Sequence, residues 1–245
     1  MRARFPWGLT LVCAVAFAVL ISLGVWQAQR MQWKDDLIAQ AEAAARLPAT
    51  DPGTAFRRGE FARLVMDCPG LATAPWVELQ TIHDGESGVR LVSACRPAGF
   101  GSAILVDRGF VSESVSARPP VATATAAVRI EGQLRQPSLP GLMALPPEGN
   151  RFFARDHGAM AEVLGVGRDV APLMVYATTS SNSEWLALQP SAPPAAFSNN
   201  HLGYALTWFG LALALLGFYI ALLRRKPDPN QPRSASEATG TKENS

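Results

Sequence analysis

The last long apolar run constrains this chain most. Leu202 to Leu223 carries no charged residue, and Arg224, Arg225 and Lys226 end it. About twenty such residues suffice to cross a bilayer as a helix. A second apolar run, from about Trp7 to Val25, lies behind Arg2 and Arg4. It is longer than the core of a cleaved signal peptide, and Trp26-Gln27-Ala28-Gln29-Arg30 is a poor cleavage site. The expectation is an uncleaved anchor, with transmembrane helices at 7–26 and 202–223. Between them lies an extracytoplasmic domain, 27–200, and after them a polar cytoplasmic tail, 227–245, too poor in apolar residues to fold. The basic flanks place both termini in the cytoplasm, against the opposing charges of Arg30 and Lys34. No Arg- and Ser-rich amphipathic leader marks a mitochondrial precursor, so a bacterial inner membrane is the simplest address.

The net charge of +2 over 245 residues leaves no basic patch for nucleic acid. Of the three cysteines, Cys13 falls in the first apolar run. Cys68 and Cys95 fall in the outer domain, where they could form a disulfide, stay free or bind copper as a pair. No Cys/His spacing suits zinc.

The segment from Trp26 to about Arg46 reads as a helical continuation of the first span, because Trp26, Arg30, Trp33 and Leu37 recur at helical spacing. Pro48 and Pro52 end it. Period-two alternation then predicts strands. Val89, Leu91, Ser93 and Cys95 share one face; Ile104, Val106, Arg108 and Phe110 share another. Val128, Ile130, Gly132 and Leu134 alternate with polar neighbours, and Leu173, Val175 and Ala177 make a later strand. Short strands separated by Gly and Pro argue for an antiparallel sheet or barrel-like core. A short helix is expected from Asp156, a good N-cap, to Leu164, with Gly165 as its stop. Arg118 to Ala127 reads as a loop, and Pro190 to Pro194 as a stiff link into the second span. The fold class is a two-helix transmembrane hairpin carrying an extracytoplasmic, mainly antiparallel α+β domain.

Catalytic signatures are absent: no nucleophile elbow, phosphate loop or dinucleotide fingerprint occurs. Asp107 and Arg108 are neighbours on a strand, so they point to opposite faces and cannot pair. A structural role at the strand's end is expected for them. The second span carries a small-residue stripe, Gly203, Thr207, Gly210, Ala214, Gly217 and Ala221. Such a stripe lets another helix approach, either a partner's or the chain's own first helix. His201 stands at the entrance of the span, on a face with Ala205, Trp208 and Ala212. Imidazole is a common axial ligand of haem iron. It is equally a residue that caps a helix or rests among headgroups, and the physics of the sequence favours that plainer role. His83 and His157 stand in polar turn contexts.

Four motifs nevertheless occur in order. The first is Leu23-Gly24-Val25-Trp26-Gln27-Ala28-Gln29-Arg30-Met31-Gln32-Trp33-Lys34. Val106-Asp107-Arg108-Gly109-Phe110-Val111 follows, then Asn150 to Asp156, then Asn199-Asn200-His201-Leu202-Gly203-Tyr204-Ala205-Leu206-Thr207-Trp208-Phe209. Together they resemble the surfeit locus protein 1 family of cytochrome c oxidase assembly factors over nearly the whole chain. Phe110 stands where that family commonly has tryptophan, and Phe61 to Pro75 departs from its usual valine- and glycine-rich strand. The resemblance implies a non-enzymatic factor that binds haem a transiently and delivers or stabilises it in oxidase subunit I. The alternative is a membrane-anchored scaffold for subunit I that does not touch haem. The resemblance implies His201 as a haem contact, the axial ligand to iron. Beside it, Trp208 is a candidate for stacking on the ring and Arg30 for facing a propionate, with anchoring of the first helix at the headgroups the plainer role for Arg30. Gly203, Gly210 and Gly217 of the small-residue stripe are the expected partner face, and subunit I, haem a synthase and the membrane are the partners the resemblance implies.

Overall fold

A computed structural model describes residues 6–193 and 200–224, divided into two compact units at Trp33/Lys34 and again before Asn200. Arg2, Arg4, Pro194, Asn199, Arg225, Lys226 and the tail 227–245 lie outside the described residues. Among the described residues there are four α-helices: α1 Trp7–Ala45, α2 Pro52–Arg58, α3 His157–Val163 and α4 His201–Arg224. There are also seven strands among them: β1 Arg63–Pro69, β2 Val77–His83, β3 Glu86–Cys95, β4 Ile104–Ser112, β5 Ala127–Arg135, β6 Arg151–Phe152 and β7 Met174–Ala177. They form one sheet in the order β1-β5-β7-β4-β3-β2-β6. Every pairing is antiparallel except β4 with β7 and β2 with β6. The expected α+β unit is thus a mainly antiparallel sheet, preceded and followed in the chain by long apolar helices.

The alternating segments became β3, β4, β5 and β7. In β5, Ile130, Gly132 and Leu134 are buried while Arg129 and Glu131 are exposed. The short helix forms where its cap predicts: the Asp156 carboxylate accepts from the Ala159 N–H at 3.0 Å, and Gly165 takes a positive φ of 72°. Helix α2 was not anticipated, although its signals stand in the sequence. Asp51 caps it, accepting from the Thr54 N–H at 3.0 Å, and Pro52 opens the first turn. Strands β1 and β2 were also missed. In β1 the signal was present, since Leu64, Met66 and Cys68 are buried and alternate. In β2 it was hidden by Glu78, a buried carboxylate that Arg118 and Arg151 neutralise.

The sheet is strongly curled. Strands β1 and β3 stand four places apart in the order, which in a flat sheet would separate them by about 19 Å. Yet Cys68 of β1 and Cys95 of β3 form a disulfide with a Cα–Cα distance of 5.6 Å. The bond excludes the free-thiol and copper-pair alternatives. Leu64, Met66, Ile104, Val106, Ile130, Leu134 and Val175 fill the concave side with the bridged cysteines. The opposite side is covered by α3 through Met160 and Ala161, against Leu105, Met174 and Tyr176.

A β-bulge drives part of the curl. Leu91 pairs with Gly109 and Val92 with Asp107, so Arg108 is the extra residue on β4. This corrects two expectations. Phe110 pairs with Arg90 and so shares a face with Asp107 and Leu105, not with Val106, because the inserted residue reverses the alternation. Asp107 and Arg108 lie in the middle of the central strand rather than at its end. Gly109 completes the device: its φ is 134°, and a Cβ there would meet the Gln189 carbonyl oxygen at 2.5 Å.

Both charged residues are fully buried, on separate networks. The Arg90 Nε donates to Asp107 at 2.6 Å, and the Gly109 N–H donates to the same carboxylate at 3.1 Å. Burial pushes the Asp107 carboxyl up, against the pull of Arg90. The Arg90 guanidinium also donates to the Ser191 carbonyl at 2.5 Å, which pins the chain leaving the sheet. Arg108 donates to the Ser181 hydroxyl at 2.8 Å and the Ala72 carbonyl at 2.9 Å. Burial lowers its pKa to about 10, which leaves it charged at neutral pH.

Two stability predictions follow from these contacts. Replacing Cys68 and Cys95 together by alanine opens a loop with a sequence separation of 27. The loss should be about 3.5 kcal/mol by chain entropy, read by denaturant unfolding of the full chain in detergent. Asp107→Asn keeps the shape but leaves the buried Arg90 charge unpaired, and should cost about 3–5 kcal/mol in the same assay.

Candidate functional site

The candidate residues belong to the unit built from α1 and α4. Along α1, Thr10, Cys13, Phe17, Leu20, Gly24 and Gln27 recur at alternating three- and four-residue spacing and are buried or half-buried. Along α4, His201, Ala205, Trp208, Ala212, Leu215 and Tyr219 do the same. This is the spacing of an antiparallel two-helix seam. At one end the Thr10 and Tyr219 hydroxyls hydrogen-bond at 2.7 Å. In the middle Gly24 is fitted so closely that a Cβ would lie 2.6 Å from the Phe209 ring. At the other end the His201 Nδ1 meets the Gln27 Oε1 at 2.6 Å.

That last contact sets the chemistry of the imidazole. With the amide oxygen, which can only accept, facing the ring, the neutral imidazole carries its proton on Nδ1 and donates it. Nε2 then holds the free lone pair, and among the described residues it makes no hydrogen bond. A ligating histidine is held this way, its second nitrogen fixed by an acceptor that sets ring and tautomer. Among the described residues no three His, Cys, Asp or Glu side chains cluster around a point. One imidazole nitrogen is a donor set that fits a group needing a single protein nitrogen, as haem iron does.

The remaining sequence candidates fall around this pair. The face that His201 shares with Ala205 and Ala212 is turned into the seam, and both alanines are buried. A bound group therefore approaches the open edge of the ring, not that face. Trp208 lies half-buried on the same seam, two helical turns from His201. Arg30 is exposed, one turn beyond Gln27, with its guanidinium carbon 3.9 Å above the Trp33 ring. Gly203, Gly210 and Gly217 lie elsewhere: a Cβ at any of them meets nothing within 4 Å. The stripe is thus not what packs α4 on α1. Gln27 was not singled out as a site residue. Its signal was its fixed place after Trp26 in the first motif.

Two apolar helices long enough to cross a membrane, with a curled, mainly antiparallel sheet between them in sequence, define a class: an α+β domain flanked in the chain by apolar helices. The chain belongs to the SURF1 family, whose model matches residues 14–213. It is 30% identical to surfeit locus protein 1 of Mus musculus over 85% of this chain and 72% of that protein. It is 28% identical to a SURF1-like protein of Monosiga brevicollis, over 90% of this chain and 87% of the other. A SURF1-like protein of Rickettsia felis is 26% identical over 87% of this chain and 96% of its own length.

The seam carries its own prediction. Gly24→Leu should separate the helices, because the side chain enters the space of the Phe209 ring. Gly210→Leu should not. Disulfide cross-linking between Thr10→Cys and Tyr219→Cys reads the difference, with yield lost only in the Gly24 variant.

Proposed function

We propose that this protein is an assembly factor for a haem-copper cytochrome c oxidase, one that takes up haem a as cargo and delivers or stabilises it in subunit I. Membership of the SURF1 family supports the assembly role. The observation that carries the haem reading is the His201–Gln27 contact, which frees Nε2 for iron. Bound haem would supply its own redox chemistry, and the chain's part is ligation and position. His201 would supply the protein nitrogen that holds the iron, with Gln27 fixing its tautomer and ring plane. Arg30 presents a positive charge to a propionate, and Trp208 is assigned to stacking. No catalytic step is asked of the chain.

Helices α1 and α4 are read as membrane spans with both termini cytoplasmic, and the sheet unit as periplasmic, in a bacterial inner membrane. The Cys68–Cys95 bridge supports that side, because disulfides persist in oxidising compartments. The stripe of Gly203, Gly210 and Gly217, open along α4, is assigned to a partner helix, of subunit I or of haem a synthase.

The test is haem content. The full chain, co-expressed with haem a synthesis and purified, should carry a haem a absorption band. His201→Ala should lose most of it while keeping the Thr10–Tyr219 cross-link. Gln27→Leu should bind about 10–100-fold more weakly, as expected when the group orienting a ligand is removed. Normal haem a content in His201→Ala would leave the scaffold reading in its place.

A further inference from the structure

The connection between β5 and β6 is unusual for a loop in water. Residues 136–147 carry no charge, and among them stand Leu139, Leu142, Met143 and Leu145. Leu142 is fully exposed, and Leu139, Met143 and Leu145 are 92%, 95% and 64% exposed. The Ala144 N–H closes a turn onto the Gly141 carbonyl at 2.9 Å, so Leu142 and Met143 occupy its tip. Isolated exposed leucines are ordinary, whereas several on one uncharged segment mark a binding surface.

We infer that this loop dips into the lipid interface, with Leu142 and Met143 at its leading edge. The inference rests on the membrane reading of α1 and α4, which tethers both ends of the sheet unit's chain to a bilayer. The loop's backbone suits the site. Burying a bare N–H in lipid is costly, but Pro137, Pro140, Pro146 and Pro147 have none, and the turn satisfies that of Ala144. Irregular backbone does not cross the hydrocarbon core, so the depth is interfacial. A protein partner is the less suited occupant. Hot spots of protein interfaces are rich in Trp, Tyr and Arg and poor in Leu, whereas residues 136–147 contain none of the first three and carry Leu139, Leu142 and Leu145.

The test uses the full chain in vesicles of phosphatidylethanolamine and phosphatidylglycerol, with Cys13→Ser as background. A nitrobenzoxadiazole label is placed at Leu142→Cys, and for comparison at Leu186→Cys, a position 88% exposed elsewhere in the sheet unit. The Leu142 label should be quenched several-fold more strongly than the Leu186 label by doxyl-labelled lipid, and less by aqueous iodide. Equal quenching at the two positions overturns the inference, as does a Leu142 label shielded from both quenchers, which would mean a protein cover. Alkaline carbonate extraction separates the two failures. A chain released by carbonate overturns the membrane reading and the loop with it, whereas a retained chain with an iodide-quenched loop overturns the loop alone.

Discussion

The curl of the sheet is the constraint on which the globular unit depends. An open seven-stranded sheet must bury two faces, and α2 and α3, of seven residues each, cover little of them. Bending β1 round toward β3 lets the sheet bury one face against itself, and the Cys68–Cys95 bond closes the gap. The bulge at Arg108 and the positive φ of Gly109 supply the bend on β4. Strand alternation turns Asp107 and Arg108 to opposite sides of β4, and both sides are buried. Each then needs its own set of partners, because a buried charge without them is costly. Arg90 serves Asp107, while Ser181 and the Ala72 carbonyl serve Arg108.

These partners also connect the core to the chain on its way to α4. Arg90 holds the Ser191 carbonyl, Arg135 holds the Pro193 carbonyl at 2.8 Å, and Gln189 makes a bridge with Phe110. The Asp-Arg-Gly motif of the central strand is therefore structural. It shapes the sheet and fixes where the chain leaves it.

The helical unit solves a different problem. On the membrane reading there is little hydrophobic drive between the helices, so packing must come from close approach and from polar contacts. Gly24, Ala205 and Ala212 supply the first. Thr10–Tyr219 and Gln27–His201 supply the second, one at each end of the seam. The contact that closes one end is the same one that orients the imidazole. Stability of the helix pair and readiness of the nitrogen thus share one hydrogen bond.

Much of this was legible in the sequence. Apolar runs declare long helices because their length and lack of charge leave few other fates. Period two declared β3, β4, β5 and β7, and a cap and a glycine bounded α3, because those signals are local. The family was legible from four ordered motifs. Three features were not. The Cys68–Cys95 pairing depends on a curl that brings together strands four places apart, and no local pattern encodes that distance. The reversal of faces at Phe110 depends on a bulge, which alternation alone cannot place. The direction in which α4 packs was ambiguous, because glycine stripe and seam are both plausible faces of one helix. Tertiary structure chose the seam, where Gly24 receives Phe209 and Gln27 receives His201, because only there do the side chains of α1 complement those of α4.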